Sequence, residues 1–143
     1  MQQFLITIAL LFSGIIVGQN SEKTSLEASN SITVSVVNAL NDNGFVNFAL
    51  FNKENFRKLP VKASSSNIIN GKSTTVFNNV PDGNYAIICY HDENENKRLD
   101  FETNGMPKEN YGTSNNPLNF GPPEFESSKF ELTNENLILE IKF

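Results

Sequence analysis

Tyr85-Ala86-Ile87-Ile88-Cys89-Tyr90-His91-Asp92-Glu93-Asn94-Glu95-Asn96-Lys97-Arg98-Leu99-Asp100 decides how this chain is read. Its first seven residues form the most hydrophobic run after the N-terminal segment, which predicts a buried strand. Val80-Pro81-Asp82-Gly83-Asn84, just before it, carries Pro and Gly in turn order. Beyond His91 the pattern changes. Side-chain oxygens recur at Asp92, Asn94, Asn96 and Asp100, the spacing with which a curled backbone turns alternate residues toward a hard cation. A strand with an acidic loop hanging from its end is therefore the centre of the expected fold.

Outward from it, most segments also read as strands. Ile32, Val34 and Val36 alternate with hydroxyl residues as in a half-buried strand over 31–37. Asn41-Asp42-Asn43-Gly44 is a turn. It leads into Phe45-Val46-Asn47-Phe48-Ala49-Leu50-Phe51, apolar on both faces and so expected to be central. Residues 52–59 suggest one or two helical turns, with Asn52 as cap and Pro60 as stop. Val61 to Ile69 is weakly strand-like, and Asn70-Gly71 signals a hairpin into Lys72 to Phe77. Residues 101–124 form a long irregular loop rich in Gly, Pro and Asn, of the kind usually functional or pinned in place. Strands over 128–132 and 137–143 close the chain. About seven short strands with almost no helix predict a single all-β domain, a Greek-key β-sandwich over 31–143. Ile32, Val34, Val36, Phe48, Leu50, Ile87, Leu139 and Ile141 are expected inside. The other register of 45–51 would bury Phe45 and Phe51 instead.

Residues 1–19 are excluded from this fold. Phe4 to Val17 is apolar, short for a bilayer span and followed by Gly18-Gln19-Asn20, as in a secretory signal peptide. Residues 20–30 read as a flexible polar leader. The expected product is exported, periplasmic or extracellular, with no membrane span after cleavage. Its net charge of −5, without a basic patch, argues against nucleic acid as a partner. A single cysteine, Cys89, excludes an intramolecular disulfide.

Several segments taken together resemble the bacterial family called domain of unknown function 2141. They are the first two strands with Asn41-Asp42-Asn43-Gly44, the stretch Val80 to Ala86, His91 to Asp100, Gly105-Met106-Pro107-Lys108-Glu109, Tyr111 to Asn116, and Phe120-Gly121-Pro122-Pro123. The resemblance implies an exported sandwich of transthyretin-like or carboxypeptidase-regulatory-like type and brings no activity with it. The acidic loop is also similar to the calcium loop of B-type repeats in bacterial surface adhesins. Family members carry glycines where Glu95 and Lys97 stand here, so a positive φ at either costs about 1 kcal/mol more.

For the acidic loop the functional reading is calcium. Asp92, Asn94, Asn96 and Asp100 give side-chain oxygens, Arg98 its backbone carbonyl, and Glu102 completes the shell. The loop is not an EF-hand, because Lys97 and Thr103 replace the expected Gly and Glu. The competing reading is a solvated acidic turn held by Asx-type hydrogen bonds. His91 and Cys89 would share one face of their strand, about 7 Å apart, too far for a catalytic pair without distortion. No catalytic residues are assigned: Cys89 reads as a buried small hydrophobe and His91 as a strand-end brace. Tyr111, Asn115, Asn116 and Phe120 put aromatic rings beside amides, as a peptide or glycan site would, or fold back to lid one end of the sandwich. The leading expectation is a non-enzymatic, calcium-stabilised accessory or interaction domain with a protein or small-ligand partner. A ligand-binding module using 101–124 is the alternative, and a hydrolase a distant one.

Overall fold

A computed structural model describes residues 30–118 and 121–143. The expected signal peptide, nearly all of the leader, and Phe120 lie outside those residues. The chain order is β1 (Asn30–Val36), β2 (Phe45–Phe51), β3 (Lys62–Asn67), β4 (Ser73–Val80), β5 (Gly83–Asp92), β6 (Tyr111–Thr113), α1 (Phe125–Ser128), β7 (Phe130–Leu132) and β8 (Leu137–Ile141). The fold is all-β, in two sheets. A 3-stranded sheet runs β4-β1-β8, and a 5-stranded sheet runs β3-β2-β5-β6, with β7 also paired to β5.

Alternation places the core between the sheets. In the smaller sheet Ile32, Val34 and Val36 face inward beside Leu137, Leu139 and Ile141, through the parallel pairing of β1 with β8. Across β2 and β5, Val46 is opposite His91, Phe48 opposite Cys89 and Leu50 opposite Ile87, and all six side chains are buried. Of the expected core, seven residues are fully buried and Leu139 packs partly buried against them. Phe51 is buried too, but on the outer face of β2, edge-on to Phe56, which stands edge-on to Phe125. That small aromatic stack explains why β2 reads as apolar on both sides.

A bulge keeps β4 in phase with the core. The register shifts between Asn30 and Ile32, and Asn79 takes φ 55°, so both Phe77 and Val80 point inward although two residues separate them. One side of the sandwich closes through hydroxyl groups. Ser64 bonds Thr75 at 2.7 Å, Ser66 Oγ donates to the Thr74 carbonyl at 2.8 Å, and Ser73 Oγ donates to the Ser66 carbonyl at 3.1 Å.

Three differences from the sequence expectation have local causes. Residues 52–59 form turns rather than helix: the Asn55 N–H does reach Asn52 Oδ1 at 3.0 Å, but Arg57 at φ 57° stops propagation. The long loop contains β6, three residues pairing with Ile88 to Tyr90. The four-residue α1 occupies the start of the expected strand at 128–132, and β7 begins at Phe130.

The Asn70-Gly71 hairpin forms with both residues at positive φ. Asp42 holds it, accepting the Asn70 and Gly71 N–H groups at 2.8 Å each. These two bonds, Gly71 first, pull the Asp42 carboxyl below its ordinary pKa. A carboxyl with a lowered folded pKa adds stability above its unfolded pKa and withdraws it as pH falls through the folded value. Asp42→Ala should therefore lower the melting temperature at pH 7 by a few degrees and by less near pH 2. Melting curves across that range check it, and an equal loss at both ends would show that the carboxylate is not what holds the hairpin.

Candidate functional site

Asp92 closes β5 on the outer face of the larger sheet, and its side chain is 1% exposed. Oδ1 accepts the Asn96 N–H at 3.0 Å, and Oδ2 accepts the Lys97 N–H at 2.8 Å, so the carboxylate draws the following loop around itself. Asn47 steadies it from β2, donating Nδ2 to Oδ2 at 3.0 Å, while Ser65 on β3 donates to Asn47 Oδ1. Glu95 and Lys97 both adopt positive φ, 61° and 64°.

The loop's other side chains converge on Asp100. Asn94 Nδ2 and Asn96 Nδ2 each donate to Asp100 Oδ2 at 2.7 Å, and Arg98 Nε lies 3.6 Å from Oδ1. Those amide bonds, Asn94's first, and then the nearby cations hold the Asp100 carboxyl below its ordinary pKa. Asn94 Oδ1 accepts the Asn96 N–H at 3.1 Å, and Asn96 Oδ1 accepts the Arg98 N–H at 3.0 Å. Four of the expected metal-loop residues are thus brought together through their side chains. Glu102 is exposed, and its N–H bonds the Met106 carbonyl at 2.7 Å inside a small hairpin over 100–108.

Glu109 is the carboxylate that reaches the loop and that the alternating pattern did not indicate. Its Oε2 accepts the Asp100 N–H at 3.1 Å, and its Oε1 is buried with no partner among the described residues. Asp92, Glu109 and Asp100 lie close enough to Tyr90 to reinforce the rise in the pKa of its phenol that burial causes. Nine residues separate Asp100 from Glu109, and the hairpin that brings them together is a tertiary product. Asn47 did leave a signal, as the one polar side chain within an otherwise apolar strand.

Whether the loop suits a cation follows from its free lone pairs. Among the described residues no three of His, Cys, Asp and Glu converge closely enough to hold a metal, so amide and carbonyl oxygens would have to contribute. Asp92 Oδ1, Asn94 Oδ1 and Asn96 Oδ1 each accept one bond and retain a lone pair. Glu109 Oε1 has both free. These are oxygen donors of the kind a hard cation takes, but entry between Asn94, Asn96 and Asp100 would displace two amide donors from Asp100.

The candidate ligand residues divide. Asn115 donates to the Lys129 carbonyl at 2.6 Å. Asn116 donates to the Glu140 carbonyl at 2.9 Å and accepts the Lys142 N–H at 2.8 Å, capping the open edge of β8 as a strand would. Ser114 next to them is buried, its Oγ accepting the Ile87 N–H at 2.9 Å and donating to the Ser128 carbonyl. Tyr111 instead lines a cleft on the outer face of the larger sheet, and its hydroxyl donates to the Gly121 carbonyl at 3.1 Å.

Cys89 and His91 are both buried and directed at backbone carbonyls. The Cys89 thiol is buried, its pKa pushed up by burial, and it donates to the Gly112 carbonyl at 3.6 Å. His91 is 1% exposed and faces the core. Its Nε2 lies 2.8 Å from the Asn43 carbonyl, so the Nε2–H tautomer donates there, and its ring stacks on Phe143. The histidine braces the 41–44 turn.

Two β-sheets around one core, with an acidic Asx-rich loop at a strand end, define the class: a small all-β domain with a candidate cation loop. The chain belongs to the family described as "Uncharacterized protein conserved in bacteria (DUF2141)", which matches residues 34–140. No curated protein and no solved structure matches it. Among the described residues no helix is long and apolar enough to cross a membrane.

Proposed function

We propose that the chain is an exported, non-enzymatic domain, a Greek-key sandwich of transthyretin-like type, in which the 92–100 loop binds calcium and acts as the clasp of an accessory or interaction module. The observation that carries this reading is the convergence of Asn94 and Asn96 on Asp100 beside a buried Asp92. Asp92, Asn94, Asn96 and Asp100 would ligate through side chains and Arg98 through its carbonyl. Glu109, with its idle buried oxygen, suits the closing carboxylate better than the exposed Glu102. Export rests on the apolar segment Phe4 to Val17. The non-enzymatic reading is supported by the engagement of Cys89 and His91 with backbone carbonyls.

Neutral amide ligands and the two donors to be displaced make the affinity low, in the ~10⁻⁴–10⁻³ M range of extracellular modules. An ion that binds only the folded state at ten times its dissociation constant adds about 1.4 kcal/mol. Millimolar calcium should therefore raise the melting temperature, chelator should reverse it, and magnesium should substitute poorly. Asp100→Ala and Glu109→Gln should abolish or blunt the calcium shift, whereas Glu93→Ala should leave it intact. Calorimetry showing no calcium-dependent shift in the wild-type protein would reduce the loop to an Asx-bonded turn.

A further inference from the structure

The outer face of the larger sheet carries a cleft of about 620 Å³, within the ~300–1,000 Å³ span of small-molecule sites. Ile88 of β5 and Tyr111 of β6 contribute from the sheet, and Leu99, Phe101, Met106 and Pro107 from the 99–108 segment. The hairpin over 100–108 sets this wall. Phe101 pairs with Pro107, and the Glu102 and Lys108 N–H groups bond the Met106 and Asp100 carbonyls at 2.7 and 2.9 Å. Phe101 and Met106 remain 55% and 62% exposed. Large apolar side chains held at the lip of a concave site by a hydrogen-bonded hairpin are an arrangement for contact.

One charge lines this otherwise apolar cleft. Arg57 is part of the lining, and its guanidinium makes no ion pair among the described residues. Its φ of 57° places a non-glycine residue in the left-handed region, at a cost of about 1 kcal/mol. In a chain of net charge −5, an unpaired arginine at an apolar cleft selects for an anionic group.

We propose that this cleft binds a small amphiphilic acid, whose apolar body lies against Ile88, Phe101, Met106 and Tyr111 and whose carboxylate pairs with Arg57. The site is separate from the calcium loop, although Leu99 and Asp100 connect the two. It differs from a peptide or glycan site in that its lining is apolar and Asn115 and Asn116 are committed to backbone carbonyls elsewhere.

The test is calorimetric titration of the full chain with dodecanoate and, separately, with dodecanol. Wild-type protein should bind dodecanoate, and the alcohol about tenfold more weakly, the ratio that corresponds to about 1.4 kcal/mol. Arg57→Ala should remove that preference, bringing acid and alcohol to equal affinity. Met106→Glu, at an exposed position where folding is safe, should abolish dodecanoate binding. Every variant keeps residues 1–29, so binding by the N-terminal apolar segment would survive in Met106→Glu and overturn the proposal. So would equal affinity for acid and alcohol in the wild type, or no binding of dodecanoate at millimolar concentration.

Discussion

Gly44→Ala is expected to remove a large part of the protein's stability. Gly44 sits at φ +64°, and a Cβ built there would lie 1.9 Å from the Asp92 carbonyl oxygen and 2.9 Å from two further backbone atoms. Left-handed backbone costs an alanine about 1 kcal/mol. The collision is worse, because its partners are backbone at the end of β5 and cannot swing aside. Relief requires the 41–44 turn to lift, which parts Phe45 from Asp92 at the end of the β2–β5 ladder and withdraws the Asn43 carbonyl from His91. Together these effects should cost about 3–5 kcal/mol, against total stabilities of about 5–15 kcal/mol for domains of this kind. Urea denaturation monitored by circular dichroism measures it. A loss below about 1 kcal/mol would mean that the turn is not seated on Asp92.

Asp92→Ala should come second. The carboxylate takes N–H groups from Asn96, Lys97 and Asn47, so its removal strands the Lys97 and Asn47 donors beneath the loop and leaves the Asn96 N–H with Asn94 Oδ1 alone. Each buried unsatisfied donor costs about 1–3 kcal/mol. Some will find water once the loop loosens, which leaves an expected loss of about 3 kcal/mol. Asp92→Asn keeps one acceptor oxygen and should lose about half as much. Performed in chelator, this measurement reports the hydrogen bonds alone. Repeated in calcium, it adds whatever the ion contributes to the wild type. If Asp92→Ala unfolds like the wild type in chelator, the loop is not organised by this carboxylate.

The strands were legible where the alternation was uninterrupted. Ile32-Thr33-Val34-Ser35-Val36 has one admissible face, and Phe48, Leu50 and Ile87 fall inside as a central, doubly apolar strand pair requires. The Asn70-Gly71 turn was legible because its residues tolerate positive φ. The acidic loop could be located from spacing, and the resemblance pointed to Glu95 and Lys97 as its positive-φ positions. Tyr111-Gly112-Thr113 was not legible as a strand: three residues contain no period, and their partner lies more than twenty residues earlier. Neither Glu109 nor the cleft leaves a local trace, since both exist only after the 100–108 hairpin folds against the sheet. Asn115 and Asn116 look alike as ligand-seeking and edge-capping amides, and only the position of β8 distinguishes those roles. Phe120 lies outside the described residues.

The parallel pairing of β1 with β8 has a consequence for the order of assembly. β1 can meet β4 as soon as residue 80 exists, but its second edge stays bare until residues 137–141 are made. During that interval the row Ile32, Val34, Val36 is open on one side, and the ladder will accept any strand of suitable pattern. The best-matched strand in the surroundings is the β8 of another copy, delivered on the short Thr133-Asn134-Glu135-Asn136 connection. Vectorial emergence of the chain therefore favours self-completion when copies are dilute. Crowded emergence favours strand exchange, with each molecule closing the other's sheet by the same hydrogen bonds.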